Sequence, residues 1–342
     1  MTVLAIGGTG FIGRCAVPML LEMGHDVTVF HRGQTHAPDG ARSIVGDRRE
    51  LARHAPDLRA TRADVVLDFL LSNQRQAVEV TDLFRGHAAR VVALSSCDVY
   101  RAAGILHGTE PGKPDNSPIT EDSALRTQLH PYPPAVVQKI RSVYPWLEED
   151  YDKIPAERTV MGCAELPGTV LRLPMIYGPG DPLHRFLPVV KRVNDGRAVI
   201  LLDDATAQWR AIRGYVENVA WAVALAATDV RAAGRTYNVG DPENFTELEW
   251  RRQIADAMGW KGRFVVMPNE RAPAHLQARG NLEQHWVVDS GCIRSELGYR
   301  EGVARSEALA RTIEWERRNP GPIEPAEYDY AAEDAALKTA TG

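Results

Sequence analysis

Short apolar runs along the chain alternate with stretches in which apolar residues recur every three or four positions. Thr2–Ile6 is apolar and ends in glycines, as a buried strand does. Between residues 11 and 24, Ile12, Cys15, Val17, Leu20 and Leu21 fall at helical spacing, and Gly24 is placed to end the helix. Further strands are predicted over 27–30, 43–45, 65–71 and 90–94, with a helix over 76–84. Apolar strands alternating with helices imply parallel β-α-β units buried on both faces, hence a doubly wound α/β fold of Rossmann type.

The alternation breaks between residues 100 and 146, where Pro, Gly and polar residues dominate. This stretch reads as mostly loop, placed to lie over a site. Regular pattern returns with a helix over 154–165 and a strand over 169–173. Residues 1–178 are therefore expected to form the Rossmann-type domain, its sheet completed by parts of 211–240 such as 236–239. Residues 179–325, with helices over 247–258 and 306–317, should form mainly a smaller α/β lobe. The Ala- and acid-rich end, 326–342, has the composition of a mobile tail.

Composition narrows the function classes. The chain has 342 residues, 44% hydrophobic and 25% charged, with a net charge of −5. That balance argues against nucleic-acid or anionic-membrane partners, which need clustered cations. No apolar run approaches the roughly 20 residues that span a bilayer, and glycines interrupt the first apolar stretch before a signal sequence could form. Cys15, Cys97, Cys163 and Cys292 are widely spaced, which suggests neither disulfides nor a zinc site. The ten histidines show no metal-ligand spacing, so no metal is expected. Together these features point to a cytoplasmic protein.

The sharpest motif is Gly7-Gly8-Thr9-Gly10-Phe11-Ile12-Gly13, between a strand and a helix. Gly7 permits the tight turn, Gly10 lets the backbone approach a pyrophosphate, and Gly13 lets the helix pack on the strand. The pyrophosphate would rest on the N–H groups that open the helix, with Thr9, Phe11 and Ile12 around it. At the end of the second strand a carboxylate selects NAD through the ribose 2′-hydroxyl, whereas an arginine accommodates the NADP 2′-phosphate. Here His31 and Arg32 stand there, with no acid until Asp39, so NADP(H) is favoured over NAD(H). Asp47 follows the third strand, placed either for an adenine amine or as a turn cap. Arg210 and Arg213 have the chemistry to grip a diphosphate bidentately.

These residues resemble the extended branch of the short-chain dehydrogenase/reductase superfamily, the NAD(P)-dependent epimerases and dehydratases. The motif at 7–13 is similar to the branch's opening. Ser95-Ser96-Cys97-Asp98-Val99-Tyr100 resembles its Ser-Ser-x-x-Val-Tyr segment. Residues 171–180 (LRLPMIYGPG), 213–220 (RGYVENVA), 237–240 (YNVG) and 297–299 (LGY) follow as later landmarks in the same order. The resemblance implies a bilobed molecule with substrate between the lobes. It places Ser96 at the reacting oxygen, Pro174 and Ile176 at the cofactor, and Cys97, Asp98 and Tyr177 toward substrate. Cys97 stands where dehydratases carry an acid, which favours epimerisation or carbonyl reduction over dehydration. A homodimer is left open.

The family's catalytic pair is Tyr-x-x-x-Lys on one helix face, the lysine holding the nicotinamide ribose and lowering the tyrosine pKa. None of the ten tyrosines has lysine four residues on. Lys153 and Glu157 keep the lysine-to-glutamate spacing, which aligns Lys153 with the family lysine and leaves Tyr151 two residues before it. On a regular helix that is about 200° of rotation. Pro155, however, is tolerated only in a first turn, so an unkinked helix begins no earlier than about Asp152 and frees Tyr151 from helical geometry. Lys153 is thus expected at the ribose, with Tyr151, or less readily Glu149, as the proton-transfer group. The resulting expectation is hydride transfer at a carbonyl or hydroxyl carbon of a sugar-like or nucleotide-sugar-like substrate. The alternative is a non-catalytic NAD(P)-binding sensor or regulatory protein of the same fold; an RNA-associated relative fits the acidic charge poorly.

Overall fold

The computed structural model describes residues 1–115 and 117–340. Its first strand, β1 (Thr2–Ile6), is buried from Val3 to Ile6. The chain continues through α1 (Gly13–Glu22), β2 (Asp26–His31), β3 (Arg42–Val45), α2 (Ala55–Ala60), β4 (Val65–Asp68), α3 (Gln74–Phe84) and β5 (Arg90–Ser96). Alternation along β1 sends Val3 and Ala5 to the face covered by α1, and Leu4 and Ile6 to the face covered by α3. Gly24 takes a positive φ one residue beyond the helix cap, as its spacing predicts.

Next come α4 (Arg101–His107), α5 (Pro134–Val143), α6 (Lys153–Gly162) and β6 (Gly168–Leu173). Two helices therefore stand in the stretch expected to be mostly loop. In α5 the prolines fall at the start, where a missing N–H costs nothing. The apolar positions of α4 sit among the glycines and polar residues that suggested a loop. The helix read over 154–165 begins at Lys153 with Asp152 as its cap, so Pro155 does lie in the first turn.

The remaining elements are β7 (Met175–Tyr177), α7 (Leu187–Asn194), β8 (Val199–Asp203), α8 (Asp204–Gln208), β9 (Arg213–Tyr215), α9 (Val216–Thr228), β10 (Thr236–Asn238), α10 (Glu247–Ala257), β11 (Arg263–Met267), α11 (Gly291–Leu297), α12 (Arg305–Arg318) and α13 (Tyr330–Ala340). The main sheet has order β10-β6-β5-β4-β1-β2-β3, with every pairing parallel. This doubly wound Rossmann topology reverses direction beside β1, and ligands of such sheets bind at the carboxyl ends of the strands. Helices α1 and α9 cover one face and α3 and α6 the other. Two small parallel pairs, β7 with β9 and β8 with β11, belong to the later part of the chain. In the acid-rich segment read as a tail, α13 is held by Glu333, fully buried against Arg192 at 2.6 Å. Among the described residues no helix is long and apolar enough to cross a membrane.

Candidate active site

The glycine turn at the end of β1 has Gly7 at φ +92° and Gly8 at φ +98°, conformations that side chains resist. A Cβ on Gly13 would collide with the backbone of Gly8, so glycine there lets α1 close onto the turn. A Cβ on Gly10 would meet nothing within 4 Å, so that face of the backbone is open. Helix α1 starts with no side-chain cap and no acid in its first turn. The Arg14 and Cys15 N–H groups already bond the Gly10 and Ile12 carbonyls, which leaves those of Phe11, Ile12 and Gly13 to face an anion at a helix end whose dipole no acid compensates. The cradle fits a dinucleotide pyrophosphate, with Thr9, Phe11 and Ile12 partly exposed around it.

His31 and Arg32, paired in the sequence reading, separate here. His31 is buried; its Nδ1 accepts the Gly33 N–H at 3.3 Å, which leaves Nε2 to donate to Ser43 Oγ at 2.6 Å. The ring ties β2 to β3. Arg32 stays partly exposed and close to Asp47. Asp47 caps the following turn, accepting the Arg49 N–H at 2.9 Å. Burial raises its carboxyl, but the bonds from Arg49 and the nearby Arg32 outweigh this and hold it below the usual range.

The catalytic candidates meet at the carboxyl ends of β4 and β5, beside the turn that follows β1. Lys153, first residue of α6, is buried, and its Nζ donates to the carbonyls of Leu71 and, at 2.9 Å, of Leu94. Burial pushes its ammonium down to about 8, partly offset by Asp98, Asp68 and Glu157. Tyr151, immediately before the cap residue, is also buried and donates its hydroxyl to Asp98 Oδ2 at 2.8 Å. Lys153 Nζ lies 5.9 Å from the Tyr151 ring centre. Burial, then the negative charge of Asp98, pushes the Tyr151 phenol well above its ordinary range. Ser96 Oγ accepts the Asp98 N–H at 3.1 Å, and its own proton has no recorded acceptor among the described residues. Glu149 is exposed and paired with Arg141 at 2.6 Å, outside this cluster.

Three residues of the cluster were not legible from the chain. Tyr132, on the loop before α5, donates to the same Asp98 Oδ2 at 3.1 Å, its ring centre 5.9 Å from that of Tyr151. Arg126, fully buried, donates from Nε to the Asp98 carbonyl at 2.5 Å and reaches Asp152 Oδ1 at 3.4 Å. His107, ending α4, lies edge-on to Tyr132 at 6.0 Å. The proline-rich composition marked this stretch as a cover, but only folding selects which of its side chains turn inward.

Two cavities flank the cluster. One, of ≈ 840 Å³, is lined by Gln128, His130, Tyr132, Val137 and Arg141. The other, of ≈ 400 Å³, is lined by His107, Tyr177, Trp209, Arg213 and Trp250. Arg213 stacks over Trp250 at 4.8 Å and pairs with Glu247. Arg210 donates to the Asn244 carbonyl at 2.6 Å, and no lining atom of either cavity comes from it. Cys97 is buried without exposure, against the Arg172 carbonyl at 3.5 Å, so it faces core and not substrate. Burial pushes its thiol up. Pro174 and Ile176 flank the start of β7, where Ile176 is buried and Pro174 partly so.

Comparison with known proteins bears on the fold and the family. The chain is 25% identical over 344 residues to a dTDP-glucose 4,6-dehydratase of Streptomyces niveus, covering 95% of each. It is 35% identical over 133 residues to a UDP-glucose 4-epimerase of Corynebacterium glutamicum, covering 36% of this chain and 40% of the relative. Among solved structures, MoeE5 in complex with UDP-glucose and NAD superposes with a TM-score of 0.65 at 22% identity, covering 93% of this chain and 99% of that one. Residues 3–240, from the first strand through the glycine turn and the Lys153 helix to the sheet's last strand, match the NAD dependent epimerase/dehydratase family, and the chain belongs to that family.

Proposed function

We propose that this chain is an NAD(P)-dependent oxidoreductase of epimerase or reductase type. It moves hydride to or from a carbonyl or hydroxyl carbon of a sugar-like or nucleotide-sugar-like substrate. One observation carries the reading: Ser96, Tyr151 and Lys153 gather at the carboxyl ends of β4 and β5, adjacent to the glycine turn after β1. A reacting carbon held there would lie next to a dinucleotide seated on that turn.

The residues divide the work. Gly7, Gly10, Gly13 and the start of α1 hold the pyrophosphate; Arg32 favours a 2′-phosphate and hence NADP(H). A bound nicotinamide supplies the hydride acceptor or donor. Lys153 orients the ribose, Ser96 donates to the reacting oxygen, and Tyr151 moves the proton. Arg213 and Trp250 anchor the far end of the substrate in the ≈ 400 Å³ cavity. Residues 1–178, completed by 211–240, carry the cofactor, and 179–325 choose the substrate. The S. niveus and C. glutamicum relatives, named for dTDP-glucose and UDP-glucose, make such sugars the first substrates to try.

A second reading, a dinucleotide sensor, is favoured by two observations: Lys153 spends its ammonium on two carbonyls, and Tyr151 is not held as an anion. Fluorescence titration with NADPH and NADH, then a 340 nm screen with UDP-glucose, dTDP-glucose and simple ketones, separates them. Absence of binding by either dinucleotide overturns both; tight binding without turnover of any compound favours the sensor.

A further inference from the structure

We infer that Asp98 is the proton acceptor of this site, reached through Tyr151, an arrangement that replaces the usual tyrosine–lysine base. Two phenols donate to one oxygen of Asp98, Tyr151 at 2.8 Å and Tyr132 at 3.1 Å. Its other oxygen, Oδ1, is buried with no partner among the described residues. A buried carboxylate with an idle oxygen costs free energy, and such exceptions mark sites where the group has chemistry to do. Arg126 and Ser96 bond the Asp98 carbonyl and N–H, so the carboxylate is fixed in place.

The phenol of Tyr151 already donates a hydrogen bond to a carboxylate. Ionising it first would set two anions side by side in a buried space. A proton can therefore enter Tyr151 only as its own proton leaves. In alcohol oxidation the substrate O–H bond breaks and that proton passes to Tyr151 Oη. In the same step the Tyr151 proton passes to Asp98 Oδ2. The electron pair of the carbon–hydrogen bond leaves with the hydride to the oxidised nicotinamide, and the carbonyl forms. Tyr151 ends neutral and Asp98 ends protonated; reduction runs the sequence backward. Tyr132 steadies the charged carboxylate and lines the ≈ 840 Å³ cavity, so the covering loop itself completes the site. Around Asp98 stand Tyr132, Tyr151, Lys153, Arg126, His107 and Cys97, and of these only Tyr151 both touches the carboxylate and adjoins Lys153.

This inference rests on the oxidoreductase reading, and the test keeps the two apart. The full chain is prepared as wild type, Asp98→Asn, Asp98→Glu, Tyr151→Phe and the Asp98→Asn/Tyr151→Phe double variant. Tyrosine ionisation is followed at 295 nm without ligand. Asp98→Asn should bring the ionisations of Tyr151 and Tyr132 down toward the ordinary phenol range, Asp98→Glu should not, and the double variant should keep only that of Tyr132. NADPH fluorescence should be within about threefold of wild type throughout; a wild type that binds no dinucleotide overturns the oxidoreductase reading. With UDP-glucose as the probe, Asp98→Asn and Tyr151→Phe should each lose about 100-fold or more in kcat, as removal of a general base does. KM should hardly move, Asp98→Glu should recover part of the rate, and the double variant should lose no more than either single. Unaltered tyrosine titration in Asp98→Asn, or full turnover by it, overturns the role of Asp98.

Discussion

Arg126 Nη2 lies 3.4 Å from Asp152 Oδ1, with both side chains closed to solvent. Asp152 caps α6 by accepting the Ile154 N–H at 3.0 Å, takes the His130 N–H at 2.7 Å, and donates its own N–H to the Ser72 carbonyl at 3.0 Å. One guanidinium thus joins the backbone of Asp98, the covering loop and the start of the Lys153 helix. The two residues that carry the proposed chemistry owe their spacing to it.

Replacing Arg126 by Met should therefore cost more than a surface pair does. It strands a buried carboxylate and a buried carbonyl, and breaking one side of such a pair typically costs about 3–5 kcal/mol. Urea unfolding measures it. A change under about 1 kcal/mol, the worth of an exposed pair, would remove Arg126 from the frame.

Gly10 and Gly13 should respond differently to alanine. At Gly13 the new methyl has no room, so Gly13→Ala should lower the melting temperature and abolish dinucleotide binding together. At Gly10 the methyl enters open space, so the fold should hold. Gly10→Ala should still weaken NADPH binding by at least about tenfold, since the methyl stands where a pyrophosphate must approach. Equal affinity in Gly10→Ala and wild type, by fluorescence titration, would place the cofactor elsewhere.

Cofactor choice should rest on Arg32 and not on His31. Arg32→Asp puts a carboxylate near the ribose, so NADPH affinity should fall about tenfold or more relative to NADH. His31→Ala should leave that ratio alone and cost about 1 kcal/mol of stability through the lost bonds to Ser43 and Gly33. Paired titrations with the two dinucleotides decide this. A ratio that moves with His31 would reverse the assignment.

The difference between those neighbours also marks how far the chain could be read. The order of strands, the glycine turn and the start of α6 follow from local rules: alternating burial, glycine conformations, and a proline confined to a first turn. Spacing likewise brought Lys153 beside Tyr151. Whether His31 points to a ligand or to Ser43 depends on the register between β2 and β3, which no local pattern carries. The same holds for Cys97, which pairing between β5 and β6 turns into the core. Tyr132 and Arg126 lie in an irregular stretch without periodicity, so their inward orientation emerges only from long-range packing.

Lys153 supplies a thermodynamic check that needs no substrate. Burial lowers its ammonium to about 8 in the folded chain, whereas an unfolded lysine titrates near 10.4. Between those values the unfolded chain binds a proton that the folded chain has released, so this residue makes stability rise with pH. Below about 8 both states are protonated and its contribution to the slope vanishes. The Tyr151 and Tyr132 phenols, pushed well above their ordinary range, stay protonated through this window. Lys153→Met removes the titration, and the lost bonds to the Leu71 and Leu94 carbonyls add an offset independent of pH. Wild-type stability minus variant stability should hence be flat from about pH 6 to 7.5, then climb in favour of wild type up to about pH 10. Urea unfolding across that range measures the difference directly, and a difference that stays level or falls above pH 8 would mean the ammonium is solvated and not held between the two strand ends.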